Sequence, residues 1–366
     1  MLFEGEFRRP EHAGRLVERI RATAAQLPHV RLMEVCGTHT MAIARSGLRQ
    51  ILPENIELIS GPGCPVCVTP TTQIDQFLHL SSLPGVTLAT YGDLMRVPGS
   101  VGGDNLHRRK ALGADVRVVY SPMDALAIAD AEPERQVVFL GVGFETTAPG
   151  TALTVLEAKT QNRVNFSVLS MLKCTAPALR TLVEQEDVKI DGFLCPGHVA
   201  TVLGADAFRF LAEEYGLPGV VAGFENGDLL AALAMLLNQL KESTPKMENE
   251  YTRAVSAEGN PAAQAVMEQV LEPCDDLWRG LGPIAQSGLR LREEYADYDA
   301  AKRFELCPAG EEPVSACRCG DVICGCIRPQ QCPLFGAACT PEDPVGPCMV
   351  SGEGACAAAY HYGRSL

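Results

Sequence analysis

The segments VRLMEVCGTHT (residues 30–40) and VVFLGVGFETT (residues 137–147) decide the fold. Each is a run of apolar and β-branched residues, typical of a buried strand, that ends in a turn of glycine and polar residues. Runs of this kind recur at nearly even intervals, and segments with helical periodicity lie between them. Alternating strands and helices predict an α/β fold, with parallel sheets that carry helices on their faces.

The predicted strands form two series of four. The first series covers residues 30–35, 56–60, 86–90 and 116–120, and the second covers 137–140, 165–171, 190–194 and 220–222. Helices are predicted over 71–80, 124–131, 262–271 and 289–303, and an amphipathic helix within 11–27. We expect two similar parallel-sheet domains, over residues 28–132 and 133–238, and a helical, cysteine-rich domain formed by residues 1–27 and 239–366.

Reactive residues follow several of the predicted strands. The loops read CGTHT from Cys36, GPGCPVC from Gly61, GVGFETT from Gly141, CPGH from Cys195 and GFENGD from Gly223. Open parallel sheets bind ligands outside the carboxyl ends of their strands. The sequence therefore predicts a site at this edge, between the two domains.

Composition excludes some classes of function. The 366 residues carry a formal net charge of −14, which argues against binding to nucleic acid or to an anionic membrane surface. The most apolar stretch, 229–240, is too short to span a bilayer. The first residues lack the pattern of a secretory signal peptide. We expect a cytoplasmic protein that does not bind membranes.

The 15 cysteines point to metal or thiol chemistry, because a reducing cytosol does not sustain a disulfide framework. Nine of them fall within residues 307–366, where the tail reads CRCGDVICGCIRPQQCPLFGAACTPEDPVGPCMVSGEGAC from Cys317. Wide spacing among glycine and proline favours an iron–sulfur cluster. Two C-x-C motifs leave structural zinc open as an alternative.

The other cysteines suggest a second site. Cys64 and Cys67 have the C-x-x-C spacing of a redox pair or a metal site. Cys36 and His39, at the end of the neighbouring strand, complete a possible soft-metal site with them. Taken alone, Cys36 is a small buried hydrophobe and His39 a hydrogen-bonding group.

Three further groups have a simpler explanation beside a functional one. Cys174 and Cys195 end apolar runs and are expected in the core, whereas His198 is expected to donate a hydrogen bond into the cleft. Glu145 and Glu225 either cap helices or act as a proton relay or partner contact.

Long blocks of the sequence resemble one known family. MEVCGTHTMAIARSGLR (33–49), LISGPGCPVCVTP (58–70), GFETTAP (143–149), CPGHVATVLG (195–204) and GFENGD (223–228) resemble, in this order, the signature segments of HypD hydrogenase maturation proteins. The tail resembles the cluster region of the same family. The resemblance extends over about residues 10 to 363.

This resemblance implies a fold of two α/β domains and a third domain with a [4Fe–4S] cluster. It also implies a redox-active scaffold rather than a free-standing enzyme. With a HypC-type partner, such a scaffold holds the iron of [NiFe]-hydrogenase while it receives two cyanides and one carbon monoxide. A HypE-type protein delivers the cyanide-forming group.

The resemblance also implies roles for individual residues. Cys36 is the expected iron ligand, His39 its neighbour, and Cys64 and Cys67 the redox pair beside the site. The remaining assignments concern the tail: Cys317, Cys332, Cys339 and Cys356 as cluster ligands, and Cys319 and Cys348 as a second thiol pair.

A relay of electrons follows as a hypothesis, from the cluster through Cys319 and Cys348 to Cys64 and Cys67 and then to the iron. Thr38, His39, Thr40 or the Thr146–Thr147 turn would donate hydrogen bonds to the cyanide nitrogens. The departures from the family pattern are Cys307, Cys324 and Cys326. The rival functions are a cluster-linked thiol–disulfide oxidoreductase acting on other proteins, and a zinc-stabilised binding scaffold.

Overall fold

The computed structural model describes residues 10–185, 188–308, 310 and 312–363. Its strands are β1 (Val30–Glu34), β2 (Ile56–Ser60), β3 (Val86–Thr90), β4 (Val116–Val118), β5 (Gln136–Gly143), β6 (Phe166–Lys173), β7 (Gly192–Pro196), β8 (Gly219–Ala222), β9 (Met247–Asn249), β10 (Leu271–Trp278) and β11 (Gly282–Leu291).

The α-helices are α1 (Pro10–Ala24), α2 (Gly37–Ser46), α3 (Leu48–Ile51), α4 (Pro65–Val68), α5 (Thr71–Ser81), α6 (Leu106–Ala111), α7 (Pro122–Ala131), α8 (Ala148–Thr160), α9 (Thr175–Val183), α10 (Gly197–Leu203), α11 (Phe210–Glu213), α12 (Asn226–Glu242), α13 (Pro261–Val270), α14 (Ala300–Arg303), α15 (Cys319–Ile323), α16 (Pro347–Val350) and α17 (Ala355–Tyr362). Short 3₁₀ helices cover Gly92–Arg96, Ala205–Phe208, Glu293–Tyr298 and Pro329–Gln331.

The first sheet has the strand order β2-β1-β7-β8-β9, and every neighbouring pair is parallel. In the register of β1, Leu32 lies opposite both Leu58 and Gly192. A Cβ at Gly192 would lie 3.2 Å from the Leu32 side chain, so the close approach of these strands favours glycine. Helices α1 and α12 pack against each other and bury apolar side chains on this sheet.

The second sheet has the order β10-β11-β6-β5-β3-β4. Strands β4, β3, β5 and β6 are parallel, and β10 and β11 form an antiparallel hairpin that extends the sheet beside β6. Strand β5 is buried along nearly its whole length, as its continuous apolar sequence predicts. The α/β fold with mainly parallel sheets is therefore confirmed.

The pairing of the strands differs from the prediction that each series of four forms its own domain. The first sheet combines strands from residues 30–60 with strands from 192–249, and the second combines 86–173 with 271–291. Neither sheet follows the predicted boundaries at residues 132 and 238. Local periodicity identifies a strand, but long-range packing decides its neighbours. The sequence therefore did not reveal that each sheet combines strands of both series.

The helical character predicted for the third domain, residues 1–27 and 239–366, is wrong in part. Residues 271–291 form the β10–β11 hairpin, and the helix predicted over 289–303 is instead the end of β11, a 3₁₀ helix and α14. Tertiary contacts hold the hairpin: Trp278 is buried with its indole N–H donating to Ser287 at 2.9 Å, and Lys173 pairs with Asp276 at 2.5 Å. Such contacts override weak local propensity.

In the part of the chain that the structure describes, no helix is long and apolar enough to cross a bilayer. The first nine and last three residues of the predicted third domain lie outside the described residues.

Candidate functional site

A cavity of about 340 Å³ lies where the carboxyl ends of the two sheets face each other. Loops that follow β1, β2, β3, β5 and β7 supply its walls, and Glu353 of the tail closes one side. The lining residues are Val35, Cys36, Thr38, Gly63, Pro65, Val66, Tyr91, Asp93, Val142, Gly143, Phe144, Thr146, Thr147, Pro196, His198, Val199 and Glu353. The site therefore occupies the strand edge at which the sequence predicts it.

Cys36 is the single cysteine among these lining residues. It precedes the first turn of α2 in extended conformation, and 7% of its surface is exposed. Burial, and then the Glu353 carboxylate, raise the pKa of its thiol to about 11, while the N–H groups of His39 and Thr38 act in the opposite direction. At neutral pH the free side chain is thus a thiol, and a bound metal would displace its proton.

His39 does not line the cavity. Its buried Nε2 lies 3.2 Å from the Ala222 carbonyl oxygen and 3.0 Å from that of Gly223, so Nε2 carries the proton and donates it. Burial lowers its pKa to about 4, and its ring packs on Phe224 at 4.7 Å. His39 thus fastens α2 to the turn between β8 and α12.

Cys64 and Cys67 are joined by a disulfide and are almost completely buried. Cys64 precedes α4, and its Sγ accepts a hydrogen bond from the Cys67 backbone N–H at 3.2 Å. With the imidazole of His39 also turned away, the metal site of three thiols and one imidazole predicted from these residues is not formed. No three His, Cys, Asp or Glu side chains of the described ranges converge to hold a single metal ion.

The Cys36 loop and the CPVC loop lie directly against each other. The Gly37 N–H donates to the Gly63 carbonyl oxygen at 2.9 Å. A Cβ at Gly63 would lie 2.3 Å from the Cys36 nitrogen, so only glycine permits this approach. The disulfide is therefore held immediately behind the thiol that faces the cavity.

A much smaller void, of about 10 Å³, lies behind the CPVC loop. Its walls include Gly37, Cys64, Cys67, Cys348 and Glu353. It brings the disulfide near a cysteine of the tail, although the two segments are far apart in sequence.

Six tail cysteines surround a third, largely apolar pocket with Phe335 and Met349. They are Cys317, Cys319, Cys332, Cys339, Cys348 and Cys356. The Sγ atoms of Cys319 and Cys348 lie 2.7 Å apart. These six are the cysteines that the family resemblance selects, and sulfur donors on irregular backbone suit an iron–sulfur cluster.

The three additional cysteines do not line this pocket. The Cys324 thiol is buried and donates to the Gly280 carbonyl oxygen at 3.4 Å. Cys307 and Cys326 are exposed. The geometry therefore assigns none of the three to the cluster pocket.

The polar residues expected to donate hydrogen bonds into the cavity divide into two groups. Thr38, Thr146, Thr147 and His198 line it, and the His198 ring stacks on Phe224 at 3.9 Å. Thr40 is buried and its hydroxyl donates to the Cys36 carbonyl oxygen at 3.3 Å, so it supports the turn rather than the cavity.

The two glutamates cap helices. Glu145 is buried and accepts hydrogen bonds at 2.7 Å from both the N–H and the hydroxyl of Thr175, at the start of α9. Glu225 begins α12 in a capping box with Asp228. Cys195 lies in the core, as predicted, whereas Cys174 is only partly buried.

Two carboxylates of the site were not selected from the sequence. They are Asp93 and Glu353, and both line the cavity. The Ser351 hydroxyl donates to Asp93 at 3.3 Å, and Thr38 donates to Glu353 at 2.6 Å. The acidic residue between two glycines in SGEGAC is the signal that could have indicated Glu353.

Comparison with known proteins shows the family of this chain. The family model for HypD, described as the hydrogenase formation hypA family, matches residues 11–363. The chain is 48% identical to the hydrogenase maturation factor HypD of Escherichia coli strain K12, over 99% of this chain and 98% of that protein. It is 47% identical to the factor HypD of Cupriavidus necator, over 100% and 98% of the two chains. It is 46% identical to the factor HypD2 of Bradyrhizobium diazoefficiens, over 100% and 97%.

The family model matches nearly the whole chain. Residues of the quoted motifs also line the cavity and the cysteine pocket. The chain belongs to the HypD family of hydrogenase maturation factors.

Proposed function

We propose that this maturation factor is the scaffold on which an iron ion, bound by Cys36, receives cyanide and carbon monoxide ligands for [NiFe]-hydrogenase. The observation that carries the proposal is the position of Cys36, which lines the cavity and whose loop lies against the loop of the Cys64–Cys67 disulfide. Low-spin iron with such ligands favours soft thiolate donors.

A second protein must complete the site, because Cys36 is the one thiol among the described residues that line the cavity. A cysteine of a HypC-type partner would supply the second thiolate at the open side. A HypE-type protein would deliver the cyanide-forming group to the same opening.

The cavity offers hydrogen-bond donors for cyanide nitrogens. The Thr146 hydroxyl and the ring of His198 line it, whereas Thr38 and Thr147 donate their single hydroxyl protons to Glu353 and to the Phe144 carbonyl oxygen. The N-termini of α2 and α8 lie beside these residues, and the partial positive charge of a helix N-terminus favours anionic ligands.

The pocket of six cysteines suits a [4Fe–4S] cluster. Because Cys319 and Cys348 lie only 2.7 Å apart, they are assigned as a thiol pair. The cluster ligands are then Cys317, Cys332, Cys339 and Cys356. A cluster held by them supplies electrons.

The second pair transfers those electrons to the disulfide by exchange. The two thiols of Cys319 and Cys348 form a disulfide as the Cys64–Cys67 bond breaks, so two electrons and two protons move between the pairs. The small void supports this step, because Cys64, Cys67 and Cys348 all line it. The reduced pair then lies behind Cys36, next to the iron.

An oxidoreductase that acts on other proteins is a weaker proposal. Cys64 and Cys67 are 5% and 1% exposed, so a folded protein could not present its disulfide to them.

The test is complementation of a strain that lacks its own copy of this factor. Cys36→Ser should abolish hydrogenase maturation and leave the acid-labile sulfide content of the purified protein, which reports the cluster, unchanged. Cys307→Ser, which alters an exposed cysteine away from both pockets, is the control and should retain both. Full maturation with Cys36→Ser would refute the proposed iron site.

A further inference from the structure

Glu353 lies between the cavity and the tail. Among the residues that the structure describes, it alone lines both the 340 Å³ cavity, to which Cys36 also contributes, and the small void beside Cys64, Cys67 and Cys348. It belongs to neither the thiol pairs nor the cluster ligands. Its side chain therefore borders the iron site on one side and the redox cysteines on the other.

Glu353 is fixed to the start of α2 by two contacts. Thr38 donates a hydrogen bond to its carboxylate at 2.6 Å, from the helix turn that follows Cys36. A Cβ at Gly37 would lie 2.4 Å from the Glu353 Cβ and 2.8 Å from its carbonyl oxygen. Gly37 of the CGTHT motif is thus in direct contact with Glu353.

A tight turn connects Glu353 to Cys348. The Ser351 N–H donates to Pro347, the Gly354 N–H donates to Ser351 at 3.0 Å, and the Glu353 N–H donates to the Ser351 hydroxyl at 3.2 Å. A Cβ at Gly354 would lie 2.1 Å from the Cys348 carbonyl oxygen. Because these hydrogen bonds and the close contact at Gly354 hold the turn rigidly, a displacement of Cys348 also displaces Glu353.

We propose that Glu353 is a positioning residue that couples the redox state of the Cys319–Cys348 pair to the geometry of Cys36. Forming or breaking the bond between Cys319 and Cys348 moves the 348–354 turn, and Glu353 transmits that movement through Gly37 and Thr38. The scaffold thereby presents Cys36 differently according to whether the tail pair is oxidised or reduced. The inference rests on the proposed function in taking Cys36 as the iron-binding thiol and Cys319 and Cys348 as a redox pair.

The experiment measures the alkylation rate of Cys36 by iodoacetamide, at one pH, in full-length protein with its cluster intact. In a Cys64→Ser, Cys67→Ser background, Cys319 and Cys348 are the thiol pair whose redox state changes. Anaerobic dithiothreitol buffers set that state, and mass spectrometry quantifies the Cys36 peptide. The rate is expected to differ by about fivefold or more between the oxidised and reduced forms, the range of ordinary coupling between sites.

Two variants interrupt the coupling in different ways. Glu353→Ala removes the side chain, and Gly37→Ala displaces it; in both, the two rates should become equal. Glu353→Gln keeps the shape and the hydrogen-bond acceptor for Thr38, so it should retain most of the difference. This rescue separates positioning from a general loss of structure.

The controls are Glu342→Ala, an exposed acidic residue of the same tail, and Gly352→Ala, where an added Cβ meets no atom within 4 Å. Both should keep the wild-type ratio of rates. Equal rates in the background protein, or a ratio that survives Glu353→Ala, would overturn the inference. Because the assay contains no cyanide, carbon monoxide or partner, such a result leaves the proposed iron site to its own test.

Discussion

Substitution of Gly63 by alanine separates the Cys36 loop from the CPVC loop without removing any functional side chain. The new Cβ would lie 2.3 Å from the Cys36 nitrogen and 2.5 Å from both the Cys36 Cα and the Val35 carbonyl carbon. All three are backbone atoms, which cannot rotate away. Since non-bonded atoms rest at about 3.5–4.0 Å, the two loops must part by roughly 1 Å.

The expected cost has two components. Overpacking of this kind lowers the free energy of unfolding by about 1–3 kcal/mol. A displacement of roughly 1 Å between the disulfide and Cys36 should lower maturation by about 10²-fold, as misplacement of reacting groups does in enzymes. The loss of maturation should therefore be larger than the loss of stability explains.

Urea unfolding, followed by fluorescence of the buried Trp278, measures the stability. Trp278 is the only tryptophan in the chain, which makes the signal specific. Hydrogenase activity in a complemented strain measures maturation. Gly14→Ala is the matched control, because its Cβ lies in open space on α1 and alanine favours a helix by up to about 1 kcal/mol. Unchanged stability and full maturation with Gly63→Ala would refute the proposed apposition of the loops.

Four further substitutions test other parts of the account. Cys64→Ala or Cys67→Ala should abolish maturation while the iron and sulfide content stays that of the wild type; an active variant would refute the relay. Burial, and then the charge of Asp228, raise the pKa of Glu250 to about 7. The free energy of unfolding of the wild type should therefore fall as pH rises through about 7. Urea titrations of Glu250→Gln should lack this fall. Lys173→Met leaves a carboxylate without its buried partner and should cost about 3–5 kcal/mol in urea unfolding, whereas a cost below about 1 kcal/mol would contradict the ion pair.

The sequence predicted those features of the fold that local patterns determine. The predicted strands at 56–60 and 86–90 coincide with β2 and β3, and the predicted helix at 71–80 differs from α5 by one residue. The position of the site also followed from local patterns, because glycine-rich turns with reactive side chains mark the carboxyl ends of strands. Cys36 and the threonines of the GFETT turn accordingly line the cavity.

Contacts between distant parts of the chain could not be predicted from local patterns in the same way. Evenly spaced strands do not reveal that β2 is followed by a strand of the other sheet, and the pairing of β1 with β7 brings together residues from distant parts of the chain. His39 was placed at the site because of its motif, yet two carbonyl oxygens of the β8–α12 turn draw its ring away from the cavity. Glu353 was missed because the fold of the tail brings it against Gly37.

Infrared spectroscopy of the complex with a HypC-type partner, purified without oxygen, tests the central claim most directly. The wild-type complex should show absorption bands of iron-bound cyanide and carbon monoxide. Cys36→Ser should lose these bands while the purified factor keeps its acid-labile sulfide, and Cys307→Ser should keep both. Bands of unchanged intensity with Cys36→Ser would contradict the assignment of the iron site to the cavity between the two sheets.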